Sequence, residues 1–414
     1  MAFIYFLREN ARWLAGGFLL TFFSSFGQTF FISLSAGNIR EEYGLSHGGF
    51  GILYMVATLA SALTLPYFGQ IVDRYSPRKV TLIIVPMLAL ACVSMSVSSS
   101  IAVLCITIYL LRLFGQGMMT QNALTAMGRW FSAQRGRAVS ISVLGHNTSE
   151  ALLPIAFVAL ASLVGWRNGW LIGAAALLIF ALPVITWLMA VERMPRSSDP
   201  EPRVTAAHEW TRGEVLKDAL FYPLLLGVMA PGFISTTIFF HQVYLVEIRG
   251  WSLEVFVSFF PFLAVTTVIF SLIAGQLIDR FSAVALLPSF LVPLGLACLV
   301  LAYFEAQWSG FAFMVLLGIS YGFSQTLFGA LWPEIYGTRY LGAVRAITVA
   351  ILVFATAMGP GLTGFLIDLG VSYTLQIAMM GLYCLAAAVL MLFVSRRLAA
   401  RALQTGEASG TSTP

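Results

Sequence analysis

Charged side chains are scarce in this chain. Aspartate, glutamate, lysine and arginine together make up 10% of its 414 residues, whereas a soluble domain carries about 25%. Hydrophobic residues account for 59%. The composition excludes an ordinary soluble domain and indicates a chain that lies largely in lipid.

Several kinds of chemical motif are missing as well. No phosphate-binding loop ends in Gly-Lys-Ser or Gly-Lys-Thr, so ATP is not the expected energy source. No nucleophile–base pair or metal-ligand cluster stands out, so we expect no enzyme, no metal and no cofactor. The cysteines lack metal-ligand spacing and are expected to pack within apolar runs; they are Cys92, Cys105, Cys298 and Cys384.

Two further absences concern partners and targeting. The net charge of +5 is not clustered as a nucleic-acid surface would require, so no nucleic-acid partner is expected. Residues 1–10 lack the basic region and short apolar stretch of a cleavable signal.

Long apolar runs dominate the sequence. A helix needs about 20 such residues to cross a hydrocarbon core of about 30 Å. The strands of a membrane β-barrel are shorter and alternate in polarity, which excludes that class. Twelve runs are present, at about 12–36, 48–70, 79–98, 101–127, 136–164, 167–190, 220–247, 254–278, 283–303, 308–331, 341–367 and 372–394.

The chain repeats itself at an offset of 206 residues. Gly69-Gln-Ile-Val-Asp-Arg-Tyr-Ser76 returns as Gly275-Gln-Leu-Ile-Asp-Arg-Phe-Ser282. The same offset relates Gly44 to Gly250, Ser46 to Ser252, Cys92 to Cys298, Gly136 to Gly342 and Pro154 to Pro360. Such a period predicts two halves built to one plan, and paired membrane halves usually form a transporter with its binding site between them.

Basic residues favour one side of the predicted topology. With both termini on the cytoplasmic side, 18 of the 23 lysines and arginines fall in cytoplasmic segments. The opposite side receives only Arg40, Arg167 and Arg249. This bias predicts a multi-pass protein of the plasma (inner) membrane with both termini cytoplasmic.

The same pattern divides the chain into four parts. Residues 1–190 form an N-terminal six-helix half and residues 220–395 a C-terminal six-helix half. Residues 191–219, rich in charge and proline, are expected to be a cytoplasmic linker. Residues 396–414 are expected to be a disordered cytoplasmic tail.

The repeated loop is the first candidate functional motif. Its glycines allow neighbouring helices to approach, and its aspartates can cap a facing helix or pair with arginine. The alternative to a functional role is that these residues serve only membrane topology and helix packing. The residues concerned are Gly69, Asp73, Arg74, Arg78, Gly275, Asp279 and Arg280.

The fourth run carries Arg112-Leu-Phe-Gly-Gln-Gly117. An arginine within a span costs at least a few kcal/mol, so it should face a polar interior. Gly115 and Gly117 permit close helix contact, and Gln116 lies between them.

The fifth run opens with Gly145-His-Asn-Thr-Ser-Glu150. His146 and Glu150 share a helix face, and Asn147 adds a further polar group. Glu150 is a candidate proton site because a buried carboxylate can exchange a proton near neutrality. A permanent Arg112–Glu150 ion pair is the alternative. At the offset of 206, Arg112, His146 and Glu150 map to uncharged residues, which favours a functional role for them.

Isolated polar residues complete the candidates. Gln28 begins a polar stripe in the first run with Thr29 and Ser33. Such groups often only bond neighbouring helices, and Arg345 can belong to a cytoplasmic basic belt instead. The remaining candidates are His241, Gln325 and Arg345.

These motifs resemble those of the major facilitator superfamily, and the resemblance covers essentially the whole chain. The Gly69–Ser76 loop resembles the loop between spans 2 and 3 of that family, which holds the cytoplasmic gate. The Arg112–Gly117 run resembles its span-4 motif, whose arginine is linked to proton coupling or anion binding.

Two further stretches resemble one branch of this superfamily, the monocarboxylate and oxalate-type organic-anion carriers. They are Arg129-Trp-Phe-Ser-Ala-Gln-Arg-Gly-Arg-Ala138 and Gly165-Trp-Arg167, and the Phe-His-Gln stretch at 240–242 fits the same branch. Sugar-phosphate carriers share much of the first pattern. Pro154 lacks the glycine partner of the drug-antiporter motif, whereas Gly359-Pro360-Gly361 is closer to it.

The sequence thus predicts an all-α integral membrane protein with twelve transmembrane helices in two pseudo-symmetric halves. The expected function is transport of a small organic anion, preferably a carboxylate, by alternating access. This transport is expected to be coupled to protons. The expected partners are that small molecule and membrane lipid, and the expected state is a monomer. The alternatives are an exporter of amphipathic compounds and, from another class, a membrane sensor or scaffold that transports nothing.

Overall fold

The structure, a computed structural model, describes residues 2–131, 135–193, 209–337 and 340–410. These residues form helices joined by short turns, and they contain no strand. The helices fall into two halves of similar design, as the sequence repeat predicts.

The first half builds six apolar segments from helices that in places continue one another. Its helices are α1 (Ala2–Phe23), α2 (Thr29–Ile32), α3 (Ala36–Tyr43), α4 (His47–Arg74), α5 (Pro77–Val97), α6 (Ile101–Leu110), α7 (Thr120–Trp130), α8 (Arg135–Val164), α9 (Trp166–Ala176) and α10 (Leu182–Leu188). A π-helical segment, Leu111–Met119, joins α6 to α7, and a second, Leu177–Ala181, joins α9 to α10. The 3-10 turns Ser24–Gly27 and Ser33–Ser35 flank α2.

The second half follows a short connecting helix, α11 (Arg212–Lys217). Its helices are α12 (Phe221–Phe240), α13 (Gln242–Arg249), α14 (Leu253–Val257), α15 (Phe260–Phe281), α16 (Leu291–Tyr303), α17 (Trp308–Tyr336), α18 (Leu341–Asp368) and α19 (Tyr373–Gly410).

The membrane-spanning segments agree with the predicted runs in order, with two irregular members. Ten helices of the described chain are long and apolar enough to cross a membrane, and a bent pair adds an eleventh, in which Tyr5–Gly27 meets Thr29–Tyr43 at 47°. The ninth predicted run is only partly helical, because residues 283–290 form turns before α16. The 13 residues of α16 are too few to cross the bilayer alone at about 1.5 Å per residue.

The repeated landmarks are helix stop and start signals. Gly44 and Gly250 end α3 and α13 in the left-handed conformation, with φ of 62° and 63°, which glycine adopts without strain. Two residues later, Ser46 and Ser252 cap the next helix by accepting a hydrogen bond from the amide three residues on, at 2.9 and 3.3 Å. Each half therefore uses the same pair of residues, a glycine that ends one helix and a serine that caps the next.

Glycines bring the two halves together at one end of the molecule, here called the closed end, where residues 47–51 of α4 meet residues 360–368 of α18. A Cβ atom on Gly51 would lie 2.5 Å from the carbonyl oxygen of Pro360, so only glycine fits there. Asp368 of α18 accepts a hydrogen bond from the Gly48 amide at 2.8 Å. A carboxylate of one half thus caps a helix N-terminus of the other.

Three cross-half hydrogen bonds tie the first and seventh spans at the same end. Gln242 donates through Nε2 to the carbonyl oxygen of Phe30 at 2.9 Å and to the Ser33 hydroxyl at 2.8 Å. Ser33 in turn donates to the carbonyl oxygen of Phe239 at 2.6 Å. All four residues are buried, so water cannot easily replace these bonds.

The repeated loop motif lies at the opposite end. A Cβ atom on Gly69 would lie 2.7 Å from Nε2 of Gln121, whereas one on Gly275 would have ordinary clearance, with Thr326 at 4.0 Å. Three residues predicted to take part in gating, Arg74, Arg78 and Arg280, are exposed. The side chains of Asp73 and Asp279 lie outside the described residues, so their gating role stays a prediction.

The chain connecting the halves docks onto the second one. Asp218, which follows α11, accepts hydrogen bonds from the Tyr336 hydroxyl at 3.0 Å and from Arg401 at 2.8 Å. The guanidinium of Arg401 also lies 4.9 Å from the centre of the Trp210 ring. Residues 194–208 of the predicted linker lie outside the described residues.

The C-terminus differs from the prediction of a disordered tail over residues 396–414. Helix α19 continues to Gly410, and residues 411–414 lie outside the described range. The physical reason for the extension at least as far as Arg401 is its ion pair with the carboxylate of Asp218, a side chain that is 8% exposed. Apolar periodicity ends earlier, so sequence hydropathy could not show this contact.

We expect Asp218→Ala to destabilise the docked segment, because Tyr336 and Arg401 would lose a shared partner in a largely buried site. Loss of charge-assisted hydrogen bonds of this kind costs about 1–3 kcal/mol. The purified protein should show a lower apparent melting temperature and faster proteolysis after Arg401.

Glu305→Ala is the matched control, since Glu305 pairs with Arg249 at 3.6 Å but its side chain is 89% exposed. Arg249 is buried, but without Glu305 it keeps its hydrogen bonds to the carbonyl oxygens of Leu301 and Ala302 at 2.7 and 3.0 Å, so the melting temperature should stay near wild type. Equal losses in both variants would contradict a docking role for Asp218.

Candidate functional site

A break in the first span opens space at the centre of the molecule. The 3-10 turn Ser24–Gly27 ends at Gln28, which is extended with φ −87° and ψ 151°. The cause is a very close approach of the fourth span: a Cβ atom on Gly115 would lie 2.7 Å from the backbone of Gly27. Gly27 and Gly115 therefore permit a backbone contact that any larger residue would prevent.

Arg112 lies in the π-helical segment of the fourth span, a kind of helix irregularity that is frequent at functional sites. Its side chain is 3% exposed. Nη1 donates to the carbonyl oxygen of Gly27 at 3.2 Å and to the Thr29 hydroxyl at 3.3 Å. The guanidinium lies 5.5 Å from the centre of the Tyr54 ring.

Arg112 forms no ion pair with a described acid. No carboxylate in the described part of the chain lies within ion-pair distance of it, and its Nε atom is buried without a hydrogen-bond partner. A buried cation in this condition is costly. The site therefore favours an external group that is negatively charged and accepts hydrogen bonds.

Glu150 and His146 face the same space from α8, one helical turn apart. Glu150 is 6% exposed. Over the described residues it forms neither a salt bridge nor a side-chain hydrogen bond, so the permanent Arg112–Glu150 ion pair considered from sequence is not formed. His146 packs against Phe30, with ring centres 6.0 Å apart.

A polar cavity of about 190 Å³ connects these groups. At about 30 Å³ per molecule, it would hold roughly six waters. Its lining comes from both halves: Gln28, Thr29, Phe30, Arg112, Gln116, His146 and Glu150 from the first, and Ser235, Thr236, Phe239, Tyr321, Gln325 and Thr356 from the second.

Aromatic rings separate the cavity from the closed end. Phe30 of the first half and Phe239 of the second both pack against Phe260, with ring centres 6.2 and 5.3 Å apart. All three are buried. Gln242 and Ser33 donate their cross-half hydrogen bonds to the backbone carbonyls of Phe30 and Phe239, respectively. The rings of Phe30 and Phe239 therefore help to close the cavity, while their backbones connect the two halves.

Three predicted residues lie outside this cavity. His241 follows the last residue of α12 and lies at the closed end, where its ring centre is 6.2 Å from that of His47 and 5.6 Å from that of Tyr373. Arg345 is exposed and donates to the carbonyl oxygen of Gly329 at 3.0 Å. Asn147 is buried one position beyond His146, on a different helix face.

The structure adds lining residues that were not predicted: Ser235, Thr236, Tyr321 and Thr356. The internal repeat carries a signal for two of them. At the offset of 206, Ser235 corresponds to Thr29 and Thr356 to Glu150. Transfer of the first-half candidates to the second half predicts these two positions.

Groups of three or more histidine, cysteine, aspartate or glutamate side chains that could hold an ion do not occur in the described residues.

Comparison with known proteins agrees with this architecture. The chain is similar to a curated relative from Cupriavidus necator, the "Probable sulfoacetate transporter SauU", with 23% identity over 413 residues and 94% of each chain covered.

Solved transporter structures share the fold. A bacterial homolog of the human lysosomal transporter Spinster, in an inward-facing and unoccupied conformation, matches with a TM-score of 0.74 at 16% identity, over 96% of this chain and 98% of that one. A mutant of the nucleoside transporter NupG matches with a TM-score of 0.66 at 11% identity, over 94% of this chain and 99% of that one.

The family model described as Major Facilitator Superfamily matches residues 17–360. Two similar six-helix halves around a central cavity agree with that match, and the chain therefore belongs to the major facilitator superfamily of membrane transporters.

Proposed function

We propose that the protein is a secondary carrier that moves a small organic anion, such as a carboxylate, together with a proton. The observation that carries this proposal is Arg112, a buried guanidinium with an unpartnered Nε at a central polar cavity. An organic acid would supply the missing charge and hydrogen-bond acceptors. Gln28 and Gln116 line the same wall and offer amide donors beside it.

Charge balance explains why a proton would move with the anion. With Arg112 charged and Glu150 ionised, the empty site is neutral. A bound monoanion adds one negative charge, and a proton on Glu150 removes it. Because net charge is costly in a water-poor interior, only the empty site and the site loaded with both anion and proton would pass easily between conformations.

Glu150 suits this role because the described residues leave it without an ion-pair partner that would hold it in one state. His146, one turn away on α8, lines the same cavity. We propose Glu150 as the proton carrier and His146 as a polar neighbour that can relay the proton or bind substrate.

The orientation of the cycle follows from loop charge. Basic residues favour the side of the termini, which we therefore assign to the cytoplasm of a plasma (inner) membrane. The closed end then faces outward, and the conformation described here is inward-facing. Alternating access would require α4 and α18 to separate at the closed end while the loop motifs at Gly69 and Gly275 approach.

The similarity to a probable sulfoacetate transporter supports an anionic substrate, although it leaves the particular acid open at 23% identity. Sulfoacetate carries two acidic groups on a two-carbon frame, a size that a cavity of about 190 Å³ admits.

A second candidate function is export of amphipathic compounds. An apolar cavity of about 480 Å³ lies between α12, α18 and α19, with lining residues such as Phe233, Leu366 and Met379. Export of a lipophilic cation from proteoliposomes, together with failure to move any acid, would favour this candidate over the first.

Arg112→Gln should nearly abolish transport of the anion. Loss of the charged partner of a buried ion costs about 2 kcal/mol or more, which is about a 30-fold loss of affinity. Arg112→Lys should be intermediate, because lysine keeps the charge but not the planar set of donors. Uptake of radiolabelled mono- and dicarboxylates and sulfonates into proteoliposomes, with an imposed proton gradient, measures the effect.

Arg345→Gln is the matched control for charge, since Arg345 lies outside the cavity, and its uptake should remain near wild type. Wild-type uptake by Arg112→Gln would contradict the anion-binding role.

Glu150→Gln should uncouple transport from the proton gradient. The neutral amide imitates the protonated acid, so exchange of internal for external labelled acid should continue while gradient-driven accumulation is lost. Counterflow and uptake assays on the same proteoliposomes separate the two activities.

Glu305→Gln, an exposed acid outside the cavity, should keep both activities. Retained accumulation in Glu150→Gln would assign the proton to another group.

A further inference from the structure

Tyr54 connects the closed end with the central site, although it does not itself line the cavity. It lies on α4, one turn after Phe50, and both rings are buried. Phe240, the last residue of α12, packs against both of them, with its ring centre 4.7 Å from that of Tyr54 and 5.0 Å from that of Phe50. The Tyr54 ring is therefore part of the contact between the two halves that must open in the proposed cycle.

The same side chain belongs to the surroundings of Arg112. The Tyr54 hydroxyl oxygen lies 2.7 Å from that of Thr29, which also accepts a hydrogen bond from Arg112 at 3.3 Å. The Cζ atom of Arg112 lies 5.5 Å from the centre of the Tyr54 ring, within the range of a cation–π contact. Tyr54 thus holds the guanidinium in two ways, through Thr29 and with its own ring.

An anion bound at Arg112 would disturb both contacts. Its hydrogen bonds to the guanidinium are charge-assisted and stronger than the bond to a neutral hydroxyl, and it offsets the charge that attracts the Tyr54 ring. Tyr54 is fully buried, and close-packed interiors respond to such a change by switching between discrete arrangements. The ring that must repack together with Tyr54 is Phe240, which lies across the boundary between the halves.

We infer that Tyr54 is a positioning residue with two parts. Its hydroxyl group, through Thr29, holds Arg112 in the orientation that binds the anion. Its ring transmits the occupancy of Arg112 to Phe240 and so to the closed end. The inference rests on the proposed function, in which Arg112 binds the anion, and it extends that function to a residue outside the cavity.

Tyr54→Phe tests the first part, because it removes the hydroxyl group and keeps the ring. Arg112 would gain freedom that binding must then remove, so the half-saturation concentration for exchange should rise about five-fold at an unchanged maximal rate. Counterflow into proteoliposomes measures both quantities. The tracer is the best-transported acid of the carboxylate and sulfonate panel, beginning with labelled sulfoacetate. A purely structural role would instead lower the maximal rate and leave half-saturation unchanged.

Tyr109→Phe is the matched control. Tyr109 lies one turn before Arg112 on the fourth span and donates its hydroxyl hydrogen to Thr64 at 3.1 Å, away from the cavity. The same atom is thus removed from another tyrosine–threonine bond, and both kinetic quantities should stay near wild type. Wild-type half-saturation in Tyr54→Phe, or an equal rise in both variants, overturns the positioning of Arg112.

Phe240→Met tests the second part, since it keeps the Tyr54 hydroxyl and replaces the facing ring with an apolar side chain of similar size. Amide hydrogen exchange of the peptide that contains Gly48 reports on the closed end, because the Gly48 amide is bonded across the halves to Asp368. At mildly acidic pH, saturating tracer should speed this exchange in the wild-type protein, as anion and proton together permit opening. In Phe240→Met the tracer should leave the exchange unchanged.

Phe290→Met controls for the loss of a buried ring as such. Phe290 is buried in the second half, where its ring centre lies 5.2 Å from that of Phe328. This variant should keep the response of the Gly48 peptide to tracer.

The outcomes separate the two proposals. The link through Tyr54 is overturned, with anion transport left standing, if tracer does not change the exchange in the wild-type protein, if the response persists in Phe240→Met, or if it is lost equally in Phe290→Met. No transport of any acid of the panel by the wild-type protein overturns the proposed function itself.

Discussion

A buried guanidinium that forms no ion pair with a described carboxylate is the constraint on which the rest of the site depends. Water and acids normally offset such a charge, and the described surroundings of Arg112 supply only the Gly27 carbonyl, the Thr29 hydroxyl and the face of Tyr54. These contacts exist because Gly27 and Gly115 let the first and fourth spans touch along their backbones. The break at Gln28 and the π-helical segment around Arg112 are the local distortions that accompany this contact.

The same constraint connects binding to conformational change. In the proposed cycle the site is neutral when empty and neutral again only when it holds anion and proton together, so it presents the smallest electrostatic cost to a moving interface. That interface combines glycines of α4 against α18 with hydrogen bonds of Ser33 and Gln242 between the spans that carry Phe30 and Phe239. It also contains buried rings, since Phe50 of α4 packs against Phe240 of α12 with ring centres 5.0 Å apart.

The sequence predicts the fold, and it singles out the three ionisable residues that line the central cavity, whose roles stay a prediction. Arg112, His146 and Glu150 stood out because ionisable residues in apolar runs are costly and break the internal repeat, and they line one cavity. His241 and Arg345 are also ionisable residues near apolar runs, but both lie outside the cavity. Their positions depend on where α12 ends and where α18 begins, and the apolar periodicity of the sequence does not define those points. Ser235 and Thr356 were not predicted, because a single hydroxyl group in a span normally donates to a carbonyl of its own helix, as both of these do.

The hydrogen bond from Ser33 to Phe239 joins positions exactly one repeat apart, a separation of 206 residues. Equivalent positions of two related units can touch only where the axis that relates those units passes between them. A symmetric dimer makes its self-complementary contacts at that place. Ser33 and Phe239 thus mark, inside a single chain, the place where the axis that relates the two halves passes between them.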